Sequence, residues 1–172
     1  RIIDELKRRG LYDNTLIIFT SDNGASSENH GIGSFDRHDR TRDGQMVVHN
    51  SPTPGGQLTY NYLHTGWAGA VNTPFRYWKT TQFHGGVAAP TIVHWPAGMA
   101  EAKEGSIMSQ PCSFLDVMPT CMELAGASYP SFYGGNSIKP LCDEARSFVS
   151  LLQERDSWDD ERVMYWEHER GK

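Results

Sequence analysis

The chain has 172 residues, 38% hydrophobic and 22% charged, with 16 basic side chains against 21 acidic ones. That length suits one domain or a piece of a larger one, and the charge balance with 11% aromatic residues excludes a wholly disordered tail. No apolar run approaches the roughly 18 residues of a membrane helix, and a net charge of −5 argues against a general nucleic-acid binder, because phosphate contacts need a basic face.

Residues 1–9 read as the end of an amphipathic helix. Ile2, Ile3 and Leu6 share a face, Lys7, Arg8 and Arg9 suit the negative end of the helix dipole, and Gly10 takes the left-handed closing position. A chain that opens on Arg1 with this pattern already running is expected to begin inside a longer fold, with any leader peptide upstream. Asp13 and Asn14 make a turn, and Thr15-Leu16-Ile17-Ile18-Phe19-Thr20 predicts a strand buried on both faces. Helix, turn and buried strand together indicate an α/β fold. The strand empties into Ser21-Asp22-Asn23-Gly24.

Periodicity is lost from Ala25 to about Thr65. The segment Asp36 to Asp43 alternates charges, and Pro52, Pro54, Gly55 and Gly56 punctuate the stretch beyond it. A loop this long is either functional or poorly ordered. Thr91-Ile92-Val93-His94-Trp95 predicts a strand that comes after Gly85-Gly86 and stops at Pro96. Ser113 to Ala125 predicts a helix with Asp116 as N-cap, Pro119 in the first turn, Gly126 as the stop, and Leu115, Met118, Met122 and Ala125 as a core stripe. Asp143 to Arg155 predicts another helix, capped by Asp143 and burying Ala145, Phe148, Val149 and Leu152; Val163 to Trp166 reads as a strand. Cys112, Cys121 and Cys142 are odd in number with no CxxC pair, so buried free thiols are expected instead of a disulfide framework or zinc knuckle.

Asp22 and Asn23 stand at the carboxyl end of the first strand, where open α/β sheets place their ligands. Both offer hard oxygen donors, suited to calcium or magnesium and poorly suited to zinc or copper. The same Asp-Asn-Gly tripeptide is also a favoured turn sequence. Lys79, among Trp78, Thr80 and Thr81, would stabilise an oxyanion if fixed beside one, although a lone lysine is more often simply solvated. His84 is set apart by the adjacent Gly85-Gly86, which permit close approach of a ligand. Trp67, Trp78, Tyr60 and Tyr62 are candidates to stack on a sugar or aryl group, core packing being the plainer use of each.

The run Leu11-Tyr12-Asp13-Asn14-Thr15-Leu16-Ile17-Ile18-Phe19-Thr20-Ser21-Asp22-Asn23-Gly24 resembles the segment that carries two metal ligands in the type I sulfatases of the alkaline phosphatase superfamily. The resemblance continues in order through Trp67-Ala68, Asn72-Thr73-Pro74-Phe75-Arg76, Lys79, Gly85-Gly86-Val87, Pro90, and Val93-His94-Trp95-Pro96-Ala97-Gly98. Asp116-Val117-Met118-Pro119-Thr120 with Leu124-Ala125-Gly126 is similar to the family's next helix, and Trp166-Glu167-His168-Glu169 to the start of its C-terminal region. The likeness implies a mostly parallel sheet flanked by helices, incomplete in this chain. Residues 1–142 would then belong to the catalytic α/β domain and 143–172 would lead into the smaller C-terminal region.

The resemblance also implies a chemistry. Sulfatases of this type oxidise a Cys or Ser in a Cys/Ser-x-Pro/Ala-x-Arg motif to formylglycine, whose hydrate attacks sulfur. An Asp-Asn pair matching Asp22 and Asn23 helps hold calcium against the sulfate, and a lysine matching Lys79 neutralises sulfate and leaving-group charge. The expected substrate is a sulfate ester, as a small molecule or a sulfated carbohydrate, and export is expected on the same ground. The nucleophile motif is absent: Ser109-Gln110-Pro111 and Ser128-Tyr129-Pro130 begin like it, but positions 113 and 132 are Ser and Phe. The formylglycine is therefore expected upstream, and these 172 residues alone are expected to be inactive. The glutamate usual before Gly-Gly is here His84, to which no family role carries over. Phosphodiesterases and phosphonate hydrolases of the superfamily usually carry Asp-His where this chain has Asp22-Asn23, so Asn23 favours calcium and sulfate. A catalytically dead, sulfated-carbohydrate-binding relative is the third alternative, and the upstream sequence would separate it from an enzyme.

Overall fold

A computed structural model describes residues 1–27, 39–49, 51–61, 63–140, 143–154, 158 and 161–167. In chain order the elements are α1 (Ile2–Arg8), β1 (Ile17–Thr20), β2 (Val48–His49), β3 (Thr59–Tyr60), α2 (Thr65–Val71), α3 (His84–Val87), β4 (Thr91–His94), α4 (Val117–Leu124), β5 (Phe132–Tyr133), β6 (Asn136–Ser137) and α5 (Val149–Gln153). This is a mixed α/β chain, as predicted. Among the described residues its sheets are three two-stranded pairs, β1 with β4, β2 with β3, and β5 with β6. The chain divides into two compact units, Arg1–Ile18 with Val93–Val163, and Phe19–Ile92 with Met164–Lys172.

The first unit is built on α5. Phe148, Leu151 and Leu152 are buried, and Leu16, Ile18, Val93, Trp95, Met99, Val117 and Trp158 pack against them. Leu16 and Ile18 lie two residues apart, so they share one side of β1. Phe19, on the alternate side, is 72% exposed, which corrects the expectation of a strand buried on both faces. The Ala97 amide donates to the Asp13 carbonyl at 2.8 Å and fixes the turn before β1 to the chain after β4. In α1 the carboxylate of Glu5 accepts from Arg8 and Arg9, and Gly10 has φ +67, the closing conformation expected of it. Ile2 and Ile3 are exposed, so the predicted apolar face of that helix is not covered by the described residues.

The helix predicted over 113–125 is divided in the structure. Phe114–Asp116 forms a one-turn helix with a capping box, in which Ser113 accepts from the Leu115 amide and Asp116 accepts from the Ser113 amide at 2.6 Å. Asp116 thus stands at the N-cap position of α4, as predicted, but its side chain makes no capping hydrogen bond there. Its wholly buried carboxylate accepts from Arg162 at 2.6 and 2.9 Å and from the Arg146 amide at 2.9 Å. Thr120, also fully buried, donates to the Asp116 carbonyl at 2.6 Å and accepts from the Phe148 amide at 3.0 Å, tying α4 to the start of α5. The fully buried residue of α4 is therefore a polar one, with Val117 packing beside it on the core. Leu115, Met118 and Ala125 of the predicted core stripe are exposed.

Three further expectations change. The helix predicted from Asp143 is only Val149–Gln153, with Phe148 at its N-cap, because the amides of Arg146 and Phe148 are taken by Asp116 and Thr120. Phe148, Val149 and Leu152 are buried as predicted. Val163 to Trp166 is not a strand, and Val163 and Tyr165 are largely exposed. Cys112 and Cys121 are free but exposed, not buried; Cys142 lies outside the described residues. Gly134 and Gly135, both at positive φ, make the tight turn of the antiparallel β5–β6 hairpin.

In the second unit, part of the long aperiodic segment is ordered. β2 and β3 run parallel with Val48 opposite Thr59 and His49 opposite Tyr60, and Ser27 bridges to Leu63. Residues 28–38 and Tyr62 lie outside the described residues. Ala68 of α2 is fully buried, whereas Trp67 is 67% exposed. Among the described residues no helix is long and apolar enough to cross a membrane.

Candidate functional site

Asp22, Asn23, Lys79 and His84 all fall within the second unit, and three of them are tied into one hydrogen-bonded backbone arrangement. The chain leaves β1 after Thr20, whose hydroxyl meets that of Thr91 at 2.8 Å. The Ser21 hydroxyl donates to the Asn23 carbonyl at 3.0 Å and shapes the turn. Next the Gly24 amide donates to the Gly86 carbonyl at 3.0 Å, and the Lys79 amide donates to the Ala25 carbonyl at 2.9 Å. The Asp22-Asn23 turn is thus bonded through its next two residues to both the Gly-Gly pair and the lysine. The turn tripeptide and the candidate ligand pair are the same object.

Asn72, at the end of α2, is the centre of this arrangement. Its Oδ1 accepts from the Ala25 amide at 3.0 Å, and its Nδ2 donates to the carbonyls of Tyr77 and Gly85 at 2.9 and 2.8 Å. One side-chain amide therefore joins three segments whose backbone groups would otherwise need other partners. In the sequence Asn72 stands out only as part of a motif. An Asn before Thr-Pro at a helix end is the available signal, but nothing local distinguishes it from an ordinary C-cap.

The glycines explain how closely the segments approach. A Cβ on Gly24 would stand 1.6 Å from the Gly85 carbonyl oxygen; on Gly85, 2.1 Å from the Tyr77 carbonyl oxygen; on Gly86, 2.2 Å from that of Thr81. All three are buried. The Gly85-Gly86 pair was expected to admit a ligand; among the described residues it admits the neighbouring main chain. His84, at the start of α3, is exposed and stacks on Phe75 with ring centres 5.6 Å apart.

The side chains of the candidates remain uncommitted. Asp22 is exposed, and its carboxylate has no hydrogen-bond or ion-pair partner among the described residues. Asn23 is half-buried and donates its Nδ2 to the Gly24 carbonyl at 2.8 Å, leaving Oδ1 without a donor among those residues. Two hard oxygen donors on adjacent residues fit a hard divalent cation. No third His, Cys, Asp or Glu joins them among the described residues, so the pair would supply part of a coordination shell. Lys79 is half-buried, with its ammonium in no ion pair among the described residues.

The backbone around Lys79 is unusual. Tyr77 has φ +64 and Thr80 φ +76, the two non-glycine residues at positive φ among those described. Such conformations are uncommon for bulky or β-branched side chains and persist where the surroundings enforce them. Here the Tyr77 carbonyl is held by Asn72, and the Thr81 hydroxyl donates to the Trp78 carbonyl at 2.7 Å. Tyr77 packs against Trp78 edge-on and against Phe83 with ring centres 4.7 Å apart. Trp78 and Tyr60 are accordingly half-buried packing residues, the latter against His49 at 5.9 Å.

Comparison with known proteins bears on this geometry. The sulfatase family model matches residues 1–127. The chain is 31% identical over 143 residues to steryl-sulfatase of Mus musculus, covering 82% of this chain and 18% of that protein. It is 30% identical to arylsulfatase D of Homo sapiens, with 88% and 21% covered, and 26% identical to an arylsulfatase of Klebsiella aerogenes, with 90% and 32% covered. The chain thus spans between about a fifth and a third of the length of these relatives.

Proposed function

The chain belongs to the sulfatase family, and from that premise we propose that it supplies part of the active site of a sulfuric ester hydrolase. In this reading Asp22 and Asn23 hold calcium, with magnesium as the other hard cation of suitable donor preference. Lys79 contacts the sulfate, and the formylglycine nucleophile comes from outside these residues. The cation, when bound, would supply positive charge to sulfate oxygens. The chain's own contribution is positional: Asp22 and Asn23 present oxygen donors from a turn fixed at Gly24 and Ala25. Lys79 brings an ammonium whose charge counters the negative charge that accumulates on sulfuryl and leaving-group oxygens.

The observation that carries the reading is the hydrogen bond from the Lys79 amide to the Ala25 carbonyl at 2.9 Å. It sets the lysine's backbone against the chain three residues beyond Asp22, which supports assigning the two residues to one site. The substrate is a sulfate ester, and export of the intact enzyme is part of the same proposal. The test is hydrolysis of an aryl sulfate by the intact protein together with its metal content. Lys79→Ala is expected to lower kcat on the order of a hundredfold or more, and Asp22→Ala is expected to lower bound calcium. Undiminished turnover by Lys79→Ala would remove the lysine from the site, and stoichiometric zinc in the native protein would favour a phosphodiesterase.

A further inference from the structure

Arg76 lies three residues before Lys79 and is held in place by aromatic rings. Its guanidinium carbon is 4.8 Å from the Tyr77 ring centre and 5.3 Å from that of Phe83. Its Nη2 donates to the Tyr77 hydroxyl at 3.2 Å. Neighbouring side chains in an extended chain point to opposite sides. Tyr77 stands at φ +64, and its ring lies beside the guanidinium of its predecessor. The conformation is secured from behind, where the Tyr77 carbonyl meets Asn72 Nδ2 at 2.9 Å.

Arg76, Tyr77 and Phe83 are all exposed. Among the described residues Arg8 and Arg9 donate to Glu5 and Arg162 to Asp116, whereas Arg76 pairs with no carboxylate. A guanidinium stacked on rings keeps its planar fork oriented, and that fork matches carboxylate and sulfate oxygens two at a time. Preorganisation removes part of the entropy lost when an anion is bound.

We propose that Arg76 is a specificity-determining residue that binds a second oxyanion of the substrate. The preferred substrate is then a sulfated sugar that also carries a carboxylate or a further sulfate, with Lys79 on the ester sulfate and Arg76 on the other anion. The assignment rests on the sulfatase reading above. The ring faces of Tyr77 and Phe83 add an apolar surface of the kind that covers the C–H face of a sugar.

The test compares three substrates in the intact enzyme: a sugar monosulfate with no other charge, one with a uronate carboxylate, and a disulfated sugar. Wild type is expected to favour the dianionic substrates, and Arg76→Ala to lower the dianionic-to-monoanionic ratio of kcat/KM about tenfold, mainly through KM. Arg76→Lys, which keeps the charge and loses the fork, is expected to lie between them and to carry the test if Arg76→Ala does not fold. A fall confined to one dianionic substrate identifies which oxyanion Arg76 reads. A ratio unchanged in both variants of an active enzyme overturns the role of Arg76 alone. Absence of sulfate release from all three substrates by an enzyme that hydrolyses an aryl sulfate overturns the sugar assignment, whereas failure on the aryl sulfate as well rejects the sulfatase reading with it.

Discussion

Asp116 and Arg162 meet through two hydrogen bonds, at 2.6 and 2.9 Å, with the carboxylate wholly buried and also accepting from the amides of Ser113 and Arg146. Burial pushes the Asp116 carboxyl up, but Arg162 and the two amides outweigh it and hold it below the usual carboxylate range. A carboxylate with a depressed native value stabilises the fold above its unfolded value, near about 3.9, and loses that contribution as the pH falls through the native value. Urea denaturation of the intact protein should therefore show stability declining below about pH 4. Arg162→Ala should cost about 3–5 kcal/mol at neutral pH, because it strands a buried charge. It should also flatten the acid decline. An equally steep decline in the variant would assign the acid sensitivity to other groups.

Asn72→Asp replaces the two donors that reach Tyr77 and Gly85 with an acceptor. The part-buried Gly85 carbonyl left unpaired costs roughly 1–3 kcal/mol, whereas the exposed Tyr77 carbonyl can turn to water. Stability is expected to fall by about 2 kcal/mol in total, and activity to fall together with it. Thermal denaturation and sulfate release measured on the same sample check this; a variant of wild-type stability would show that Asn72 does not join these segments.

Gly24→Ala places a methyl group 1.6 Å from the Gly85 carbonyl oxygen, a distance no rotamer relieves. Both clashing partners are main chain, so the turn after β1 must move. The expected result is a folded first unit with the second unit destabilised, read as a new early transition in limited proteolysis. Gly66→Ala is the control, since nothing lies within 4 Å of its added carbon and its φ is not positive. An early transition in the control and none in Gly24→Ala would refute the close approach.

Cys112 gives a chemical readout of its surroundings. The residue is exposed, but desolvation by the atoms packed beside it, and secondarily the Asp116 charge against the opposing Arg162, push the thiol up to about 11. Only thiolate alkylates at an appreciable rate, so at about pH 8 native Cys112 should react on the order of a hundred times more slowly than in denaturant. Mass-spectrometric alkylation kinetics on the intact protein measure this directly. Equal rates in the two states would contradict a raised thiol.

The strand and the turn after it were legible in the sequence because their signals are local. Asp22 and Asn23 follow an apolar, β-branched run with Ser21 between. What was not legible depends on partners distant in sequence. Asn72 acquires its role from Ala25 and Gly85, 47 and 13 residues away. The Asp143 helix failed because Asp116 and Thr120 take the amides that a helical first turn would have oriented otherwise. The stripe on α4 was correctly periodic, but periodicity does not say whether anything packs on it. Met118, 59% exposed, is the measure of that gap.

The contact of Gly24 with Gly85, and of Gly85 and Gly86 with the carbonyls of Tyr77 and Thr81, is made of main-chain atoms. Of the side chains near it, Asn72 and Thr81 are small and polar. The exposed side chains of Phe83 and Arg76 are not among its nearest atoms, so exchange there leaves the contact itself in place. On the proposed reading, divergence in what is recognised would proceed around an unchanged lysine. In this way a single scaffold would accommodate different organic groups while the lysine's placement stays the same.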